Sequence, residues 1–280
     1  MVGHEEVNPP GRAGSGKRVE VEIVSSGREL LIGRTVNTNA SWIASRLTRI
    51  GASVTRVTTV GDTVREIASA IRESISRRPS AVIVTGGLGP TYDDLTAEAL
   101  ASALMVPKAL NEEAYRMVYE KYAAMGLPMT PPRLKMACLP EGSKPIRNES
   151  GTAPGITATS EGVMIFCLPG VPKEMMSMFD SSVLPAISRL TGSFFGERGF
   201  VVEGLAESTL ASIIDDVKPS HPEVYFKSHP EGSESVPVIE MHLTASSCDL
   251  KRLEDILASA EDDFIKAAEK RGGTVRRGSI

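Results

Sequence analysis

The residues best suited to chemistry in this sequence form one run, Thr85-Gly86-Gly87-Leu88-Gly89-Pro90-Thr91-Tyr92-Asp93-Asp94. A continuously apolar stretch, Ala81-Val82-Ile83-Val84, leads straight into its glycines, as a buried parallel strand does before a ligand-binding loop. Glycines at the carboxyl end of such a strand let backbone approach a ligand closely, and the following helix aims its first amides at an anion, so phosphate is the natural guest. Asp93 and Asp94 on their own repel phosphate. They make sense beside one if they hold a bridging divalent cation, or a hydroxyl or amine of the ligand. The plainer alternative is a tight turn followed by an aspartate that caps a helix.

Two further stretches belong to the same chemistry. Gly27-Arg28-Glu29-Leu30-Leu31-Ile32-Gly33-Arg34-Thr35-Val36-Asn37-Thr38-Asn39 leaves the first strand and enters the first long helix, so its tip is expected on the same sheet edge as the glycine loop. There Arg28 and Arg34 can pair with phosphate, Glu29 can share a metal with Asp93 and Asp94, and Asn37 or Asn39 can bond a base or sugar. Asn37 or Thr38 can equally be the helix cap. Asn148-Glu149-Ser150-Gly151-Thr152-Ala153-Pro154-Gly155, and Leu168-Pro169-Gly170-Val171-Pro172 before Lys173 and Glu174, offer small residues with free amides. Ser150, Gly151, Thr152, Gly155, Pro169 and Gly170 are therefore candidates for a second anion nest, although turn chemistry also explains them.

Other chemistries find no support. His4, His221, His229 and His242 lack metal-ligand spacing, and Cys138, Cys167 and Cys248 include no C-x-x-C pair. No G-x-S-x-G elbow occurs. Gly11 to Arg18, GRAGSGKR, spells most of a P-loop, but Arg18 replaces the Ser or Thr that holds Mg²⁺ and no strand precedes it.

The elements that must position these residues follow from periodicity. Val19, Val21 and Ile23 alternate with Glu20 and Glu22, predicting a strand with one wet face at its start. Ile43, Leu47 and Ile50 mark a helix that Gly51 ends. Residues 53–60 read as a second strand, and Thr63 with Glu66 opens a helix bearing Ile67, Ile71 and Ile75 on one side. After the glycine loop, Asp93 or Asp94 is expected to cap a helix through Met105, and Asn111 another that runs to Gly126. In that second helix Tyr115, Val118, Tyr119 and Tyr122 form a core stripe. Residues 156–159 and 163–168 flank a hairpin, and one helix spans 173–190. Beyond Thr191-Gly192-Ser193, a strand near Phe200, a helix over 206–217, strands near Val224 and Val238 and a helix over 249–269 make a compact α+β module. The expected divisions are a flexible, Gly/Pro-rich extension at 1–17, a main domain at 18–192 and the small module at 193–275.

Composition agrees with an ordinary globular protein: 41% hydrophobic and 24% charged residues, net charge −4. That charge draws no polyanion, so nucleic acid is not the expected partner. With no signal core and no membrane-length apolar run, the expected location is the cytoplasm.

The ordered motifs GRELLIGRTVNTN, TTVGD, TGGLGPTYDDLT, SGTAPG and LPGVPKEM closely resemble the N-terminal domain of the CinA (competence/damage-inducible) family, related to the molybdopterin-binding MogA and MoaB proteins. The likeness spans residues 19–190, and residues 195–270 resemble, less closely, the KH-like module that follows. It implies a three-layer α/β/α fold, a pterin- or nucleotide-phosphate site at the glycine loop with Asp94 at the family's aspartate, and assembly as a homo-oligomer. In CinA-type members it also implies metal-dependent hydrolysis of ADP-ribose or a related dinucleotide such as FAD, with Asp93 and Asp94 catalytic and a divalent cation held by Asp93, Asp94 and Glu29. Arg28 departs from the Asp or Asn common at its position. The nicotinamide mononucleotide deamidase domain of full-length CinA proteins is not expected, since the chain ends at Ile280. The leading expectation is thus a nucleotide pyrophosphatase. Molybdopterin binding or adenylylation in molybdenum cofactor biosynthesis is the alternative, and a non-catalytic ligand sensor the third.

Overall fold

The computed structural model describes residues 19–192, 194–230 and 238–277. The Gly/Pro-rich extension, its P-loop-like run and His4 lie outside the described residues. The chain divides into two units, one built on residues 18–48 and 52–191 and one on 192–280.

In the larger unit, chain order is β1 (Glu20–Ser26), α1 (Arg28–Leu31), α2 (Thr38–Arg49), β2 (Ser53–Val60), α3 (Val64–Ser76), β3 (Ala81–Thr85), α4 (Thr96–Leu104) and β4 (Lys108–Leu110). It continues with α5 (Glu112–Ala124), α6 (Pro131–Lys135), β5 (Cys138–Pro140), β6 (Lys144–Ile146), β7 (Gly155–Ser160), β8 (Val163–Leu168), α7 (Pro172–Met178) and α8 (Leu184–Thr191). Six strands form a sheet in the order β2-β1-β3-β8-β7-β6, parallel from β2 to β8 and antiparallel at β7 and β6. The chain winds outward from β1 to β2 and then crosses back to β3 on the other side of β1. This reversal opens a crevice at the carboxyl ends of β1 and β3, the place where open α/β sheets bind ligands.

Burial explains the layers. All five residues of β3 are buried, and each large apolar side chain removed from water there contributes about 1.5–3 kcal/mol. Val24, Val82 and Val84 pack on one face with Ile67, Ile71, Leu100 and Val118 from α3, α4 and α5. Val21, Ile23 and Ile83 alternate to the opposite face. Helix ends follow their caps: Asn37 Oδ1 accepts from Ala40 N at 3.1 Å, Thr63 Oγ1 from Glu66 N at 3.2 Å and Asn111 Oδ1 from Ala114 N at 2.9 Å.

Several local expectations are corrected. Glu22 is not on a wet face: it is buried at 4% exposure and takes two bonds of 2.7 Å from Arg77, which follows α3. The alternation of β1 was masked because tertiary structure supplies that carboxylate with a partner. Burial by itself raises the Glu22 pKa, but the bonds from Arg77 and Ser74 and the charges of Arg77 and Arg56 outweigh it and hold the carboxyl below its usual range. The helix expected over 173–190 is interrupted by a π-helical segment at Phe179–Val183, within which Phe179 and Val183 are both buried. Neither Asp93 nor Asp94 caps α4, which starts at Thr96 behind Leu95. The tyrosine stripe is only half core: Val118 and Tyr122 are buried, whereas Tyr119 is 51% exposed and stacks on Tyr115 at 6.1 Å.

The smaller unit has an antiparallel sheet ordered β10-β11-β9-β12, from β9 (Phe194–Glu203), β10 (Tyr225–Pro230), β11 (Val238–Ser247) and β12 (Thr274–Arg277). Helices α9 (Glu207–Val217) and α10 (Leu250–Lys270) share its core with Phe200, Met241, Leu243 and Phe264. Asp249 caps α10, accepting from Arg252 N at 2.8 Å. His242 Nδ1 lies 3.0 Å from Glu197 and Nε2 lies 3.2 Å from Glu240. Both ring nitrogens facing carboxylates favour imidazolium. The bond to Glu197 raises the His242 pKa, burial opposes it, and the bond to Glu240 and both acidic charges add to the rise. A raised folded pKa means stability fully present below the unfolded value of about 6.5 and lost as pH rises through the folded value. We therefore expect this unit to lose about 1 kcal/mol as pH is raised from near 6 through that value, and His242→Asn to lack that slope. Urea unfolding across a pH series checks it, and parallel slopes for both proteins would refute it.

Among the described residues, no helix is long and apolar enough to cross a membrane.

Candidate ligand-binding site

The crevice at the sheet's carboxyl edge is assembled from strand ends. Ser25 and Ser26 close β1, and Thr85 closes β3. Ser26 Oγ donates to Thr85 O at 3.3 Å, and Thr85 Oγ1 donates to Ser25 Oγ at 3.3 Å. Asn37 Nδ2 also donates to Ser25 Oγ, at 3.0 Å, which ties the start of α2 to β1.

The glycine loop requires its glycines. Gly86 has φ +103, and a Cβ placed on it would stand 2.5 Å from the Ser26 carbonyl oxygen; Gly87 has φ +64, and a Cβ there would stand 2.6 Å from Thr96 Oγ1. The loop is pinned at both ends, by Gly86 N to Leu168 O at 3.0 Å and Thr96 N to Gly87 O at 3.0 Å, with Thr96 Oγ1 donating to Gly86 O at 2.8 Å. Between these pins the amides of Gly87, Leu88 and Gly89 have no acceptor among the described residues. Three consecutive free N–H groups beside positive-φ glycines are the kind of backbone arrangement from which anion-binding nests are built.

Asp94 shapes the outer turn. Its Oδ2 accepts from Thr91 N at 2.8 Å and from Thr91 Oγ1 at 2.6 Å, while Thr91 Oγ1 also reaches Asp93 Oδ1. The Thr91 bond holds the Asp93 carboxyl below its usual range, helped by its own backbone amide and by Lys135 against slight desolvation. Lys135, at the end of α6, donates through Nζ to Thr91 O. With Lys108 from β4 it lines a narrow crevice shared with Gly87, Gly89 and Asp94. Neither lysine was among the sequence candidates. Both are far along the chain from the loop, and no local motif marks them.

On the other side of the loop, a cavity of about 130 Å³ is lined by Ser26, Glu29, Asn37, Asn39, Thr85 and Gly170, among others. Asn39 Nδ2 donates to Gly170 O at 2.8 Å. A Cβ on Gly170 would stand 3.4 Å from Gly86 Cα, so the loop after β8 rests on the glycine loop. Arg28 and Arg34 are exposed and line neither space. The Arg28 amide donates to Asp62 at 2.8 Å.

The expected second nest is closed by its own side chain. Asn148 is buried, and its Oδ1 accepts from Ser150 N at 3.1 Å and Gly151 N at 2.8 Å; its Nδ2 donates to Ala153 O at 2.9 Å and to Glu174 at 2.7 Å. The amides of Ser150 and Gly151 are thus spent on Asn148. Thr152 accepts from Tyr122 at 3.4 Å, Gly155 packs under Met178, and Pro169 is buried. Ser150, Gly151, Thr152 and Gly155 brace the site without lining it.

The metal set expected from Asp93, Asp94 and Glu29 is not brought together. Glu29 folds back onto Gly27 and faces the larger cavity, whereas Asp94 borders the crevice. Among the described residues, no three His, Cys, Asp or Glu are placed to share one ion. Cys167 is buried, and burial pushes its thiol up to about 12, far from a nucleophile.

Residues 22–189 of this site-bearing unit match the family model described as "Probable molybdopterin binding domain". The chain belongs to that family. Proteins of Metallosphaera sedula and Pyrobaculum aerophilum are 47% and 45% identical to it, over 91% and 90% of this chain and 97% and 95% of theirs. A solved structure described as the protein CinA with unknown function, from Thermoplasma acidophilum, is 39% identical, with a TM-score of 0.57 over 61% of this chain and 98% of that one. The larger unit is therefore a CinA-like molybdopterin-binding-type domain, and the smaller antiparallel unit follows it as a separate module.

Proposed function

We propose that this chain binds molybdopterin or a closely related phosphorylated pterin at the carboxyl edge of the main sheet. The observation that carries this reading is the row of three unpaired amides, Gly87 to Gly89, facing a crevice bordered by Lys108 and Lys135. Fixed N–H groups bind phosphate oxygens, and Lys135, with Lys108 that also lies 3.9 Å from Glu98, puts positive charge on the crevice wall. The family match to molybdopterin-binding domains favours a pterin over the dinucleotides expected first. Asp94 organises the turn: in Asp94→Ala the Thr91 amide loses its acceptor, and the Thr91 carbonyl that Lys135 bonds is less firmly held. Molybdopterin affinity is expected to fall about tenfold or more, because hydrogen bonds to charged groups contribute roughly 1.5–3 kcal/mol. The fold should persist, since Asp94 lies outside the core. Fluorescence titration with purified molybdopterin, paired with a urea melt, checks both; equal affinity in the two proteins sinks the role.

A second reading keeps hydrolysis of a nucleotide pyrophosphate such as ADP-ribose or FAD. What favours it is the Asp93 and Asp94 pair beside the phosphate loop. A divalent ion such as Mg²⁺ is often held by one or two carboxylates plus the phosphates of its substrate, without a full protein cage. Such an ion polarises phosphoryl oxygens. Product analysis of ADP-ribose and FAD with and without Mg²⁺ or Mn²⁺ separates the readings: metal-dependent release of AMP supports hydrolysis, and no turnover with tight molybdopterin binding removes it.

A further inference from the structure

The two spaces flanking the glycine loop differ in charge. The crevice has Lys108 and Lys135 on its wall, whereas no Lys, Arg or His lines the 130 Å³ cavity, which includes the Glu29 carboxylate instead. An anion placed there would meet the Glu29 carboxylate with no counter-charge on the wall. A whole small-molecule ligand usually fills about 300 Å³ or more, so a space of this size takes one end of a ligand.

Asn39 says which end. Its Oδ1 is buried without a hydrogen-bond partner, the one such side-chain atom among the described residues. The bond from Nδ2 to Gly170 O at 2.8 Å fixes the amide orientation, so the oxygen is the unsatisfied group. An unpaired buried acceptor costs about 1–3 kcal/mol, and only an N–H or O–H donor relieves it. Asn37 differs in that both its amide atoms already have protein partners, Oδ1 holding Ala40 N and Nδ2 holding Ser25. Asn39 itself lines the cavity, and its oxygen is the group there that a ligand donor would satisfy.

We propose that this cavity takes the neutral, amine-bearing heterocyclic end of the ligand and that Asn39 Oδ1 is the specificity-determining atom that accepts its N–H. This rests on the reading that the glycine loop holds the phosphate end.

The test uses the full chain and phosphate-free probes. Pterin and adenosine are titrated by fluorescence and calorimetry, each beside its analogue lacking the exocyclic amine, 4-hydroxypteridine and purine riboside. Inorganic pyrophosphate is titrated separately. Wild type is expected to bind at least one amine-bearing probe better than its analogue. Asn39→Ala should weaken that probe about tenfold and erase the preference, with pyrophosphate affinity unchanged. Should Asn39→Ala fail to fold, Asn39→Ser carries the same comparison. Binding of neither probe by wild type, an unchanged preference in the variant, or an equal loss of pyrophosphate affinity overturns the proposal. Asn39-dependent probe binding with no pyrophosphate binding would leave it standing and remove the phosphate reading. Selection of adenosine over pterin would leave it standing and remove the pterin.

Discussion

Gly86→Ala is expected to lose at least about 3 kcal/mol of stability and to abolish detectable molybdopterin binding. Two costs combine. At φ +103 an L side chain is in a strained conformation worth about 1–3 kcal/mol. The new methyl also stands 2.5 Å from the Ser26 carbonyl oxygen, which belongs to a buried central strand and cannot retreat. The loop must therefore shift, and the free amides of Gly87 to Gly89 shift with it. Gly142→Ala is the control: φ is +80 there, but nothing lies within 4 Å of the added Cβ. It should cost only about 1–2 kcal/mol and leave binding unchanged. Urea melts and ligand titrations of both variants measure the difference, and equal losses in the two would show that the approach to Ser26 contributes nothing.

Arg77→Met is expected to destabilise the larger unit by about 3 kcal/mol at pH 7, because it strands a buried carboxylate. Glu22 sits in β1 between β2 and β3, and the guanidinium engages both its oxygens at 2.7 Å. The double variant Glu22→Leu with Arg77→Met removes charge and partner together and should recover most of the loss. The pH dependence carries the sign. In the wild type, the depressed Glu22 pKa adds stability that is present above the unfolded value near 4.5 and lost as pH falls through the folded value. In Arg77→Met the main opposing influence is gone and burial raises the pKa, so protonation relieves the penalty. The gap between the two proteins should therefore narrow as pH is lowered from 7 toward 4. A gap independent of pH would mean that the Arg77 stem, not its charge, supplies the stability.

The sequence by itself determined the elements whose signals are local. β3 was legible because four consecutive apolar residues and Thr85 lead into glycines, and α3 and α5 because Thr63 and Asn111 are caps that act within three residues. The ordered motifs also sufficed to identify the family and to point to the loop that forms the site. Tertiary structure decided what depends on partners distant in the chain. Glu22 read as wet until Arg77 was found beside it, 55 residues away. Ser150 and Gly151 read as an open nest until Asn148 and Glu174 closed it. Lys135 carried no signal of its own, yet it stands at Thr91 across 44 residues. Strand β12, exposed and polar, is ordered by pairing with β9 rather than by any apolar pattern. Local codes set φ/ψ, caps and faces. Which amides and carbonyls stay unpaired is a property of the packed whole, and the free amides of Gly87 to Gly89 and the stranded oxygen of Asn39 appear only there.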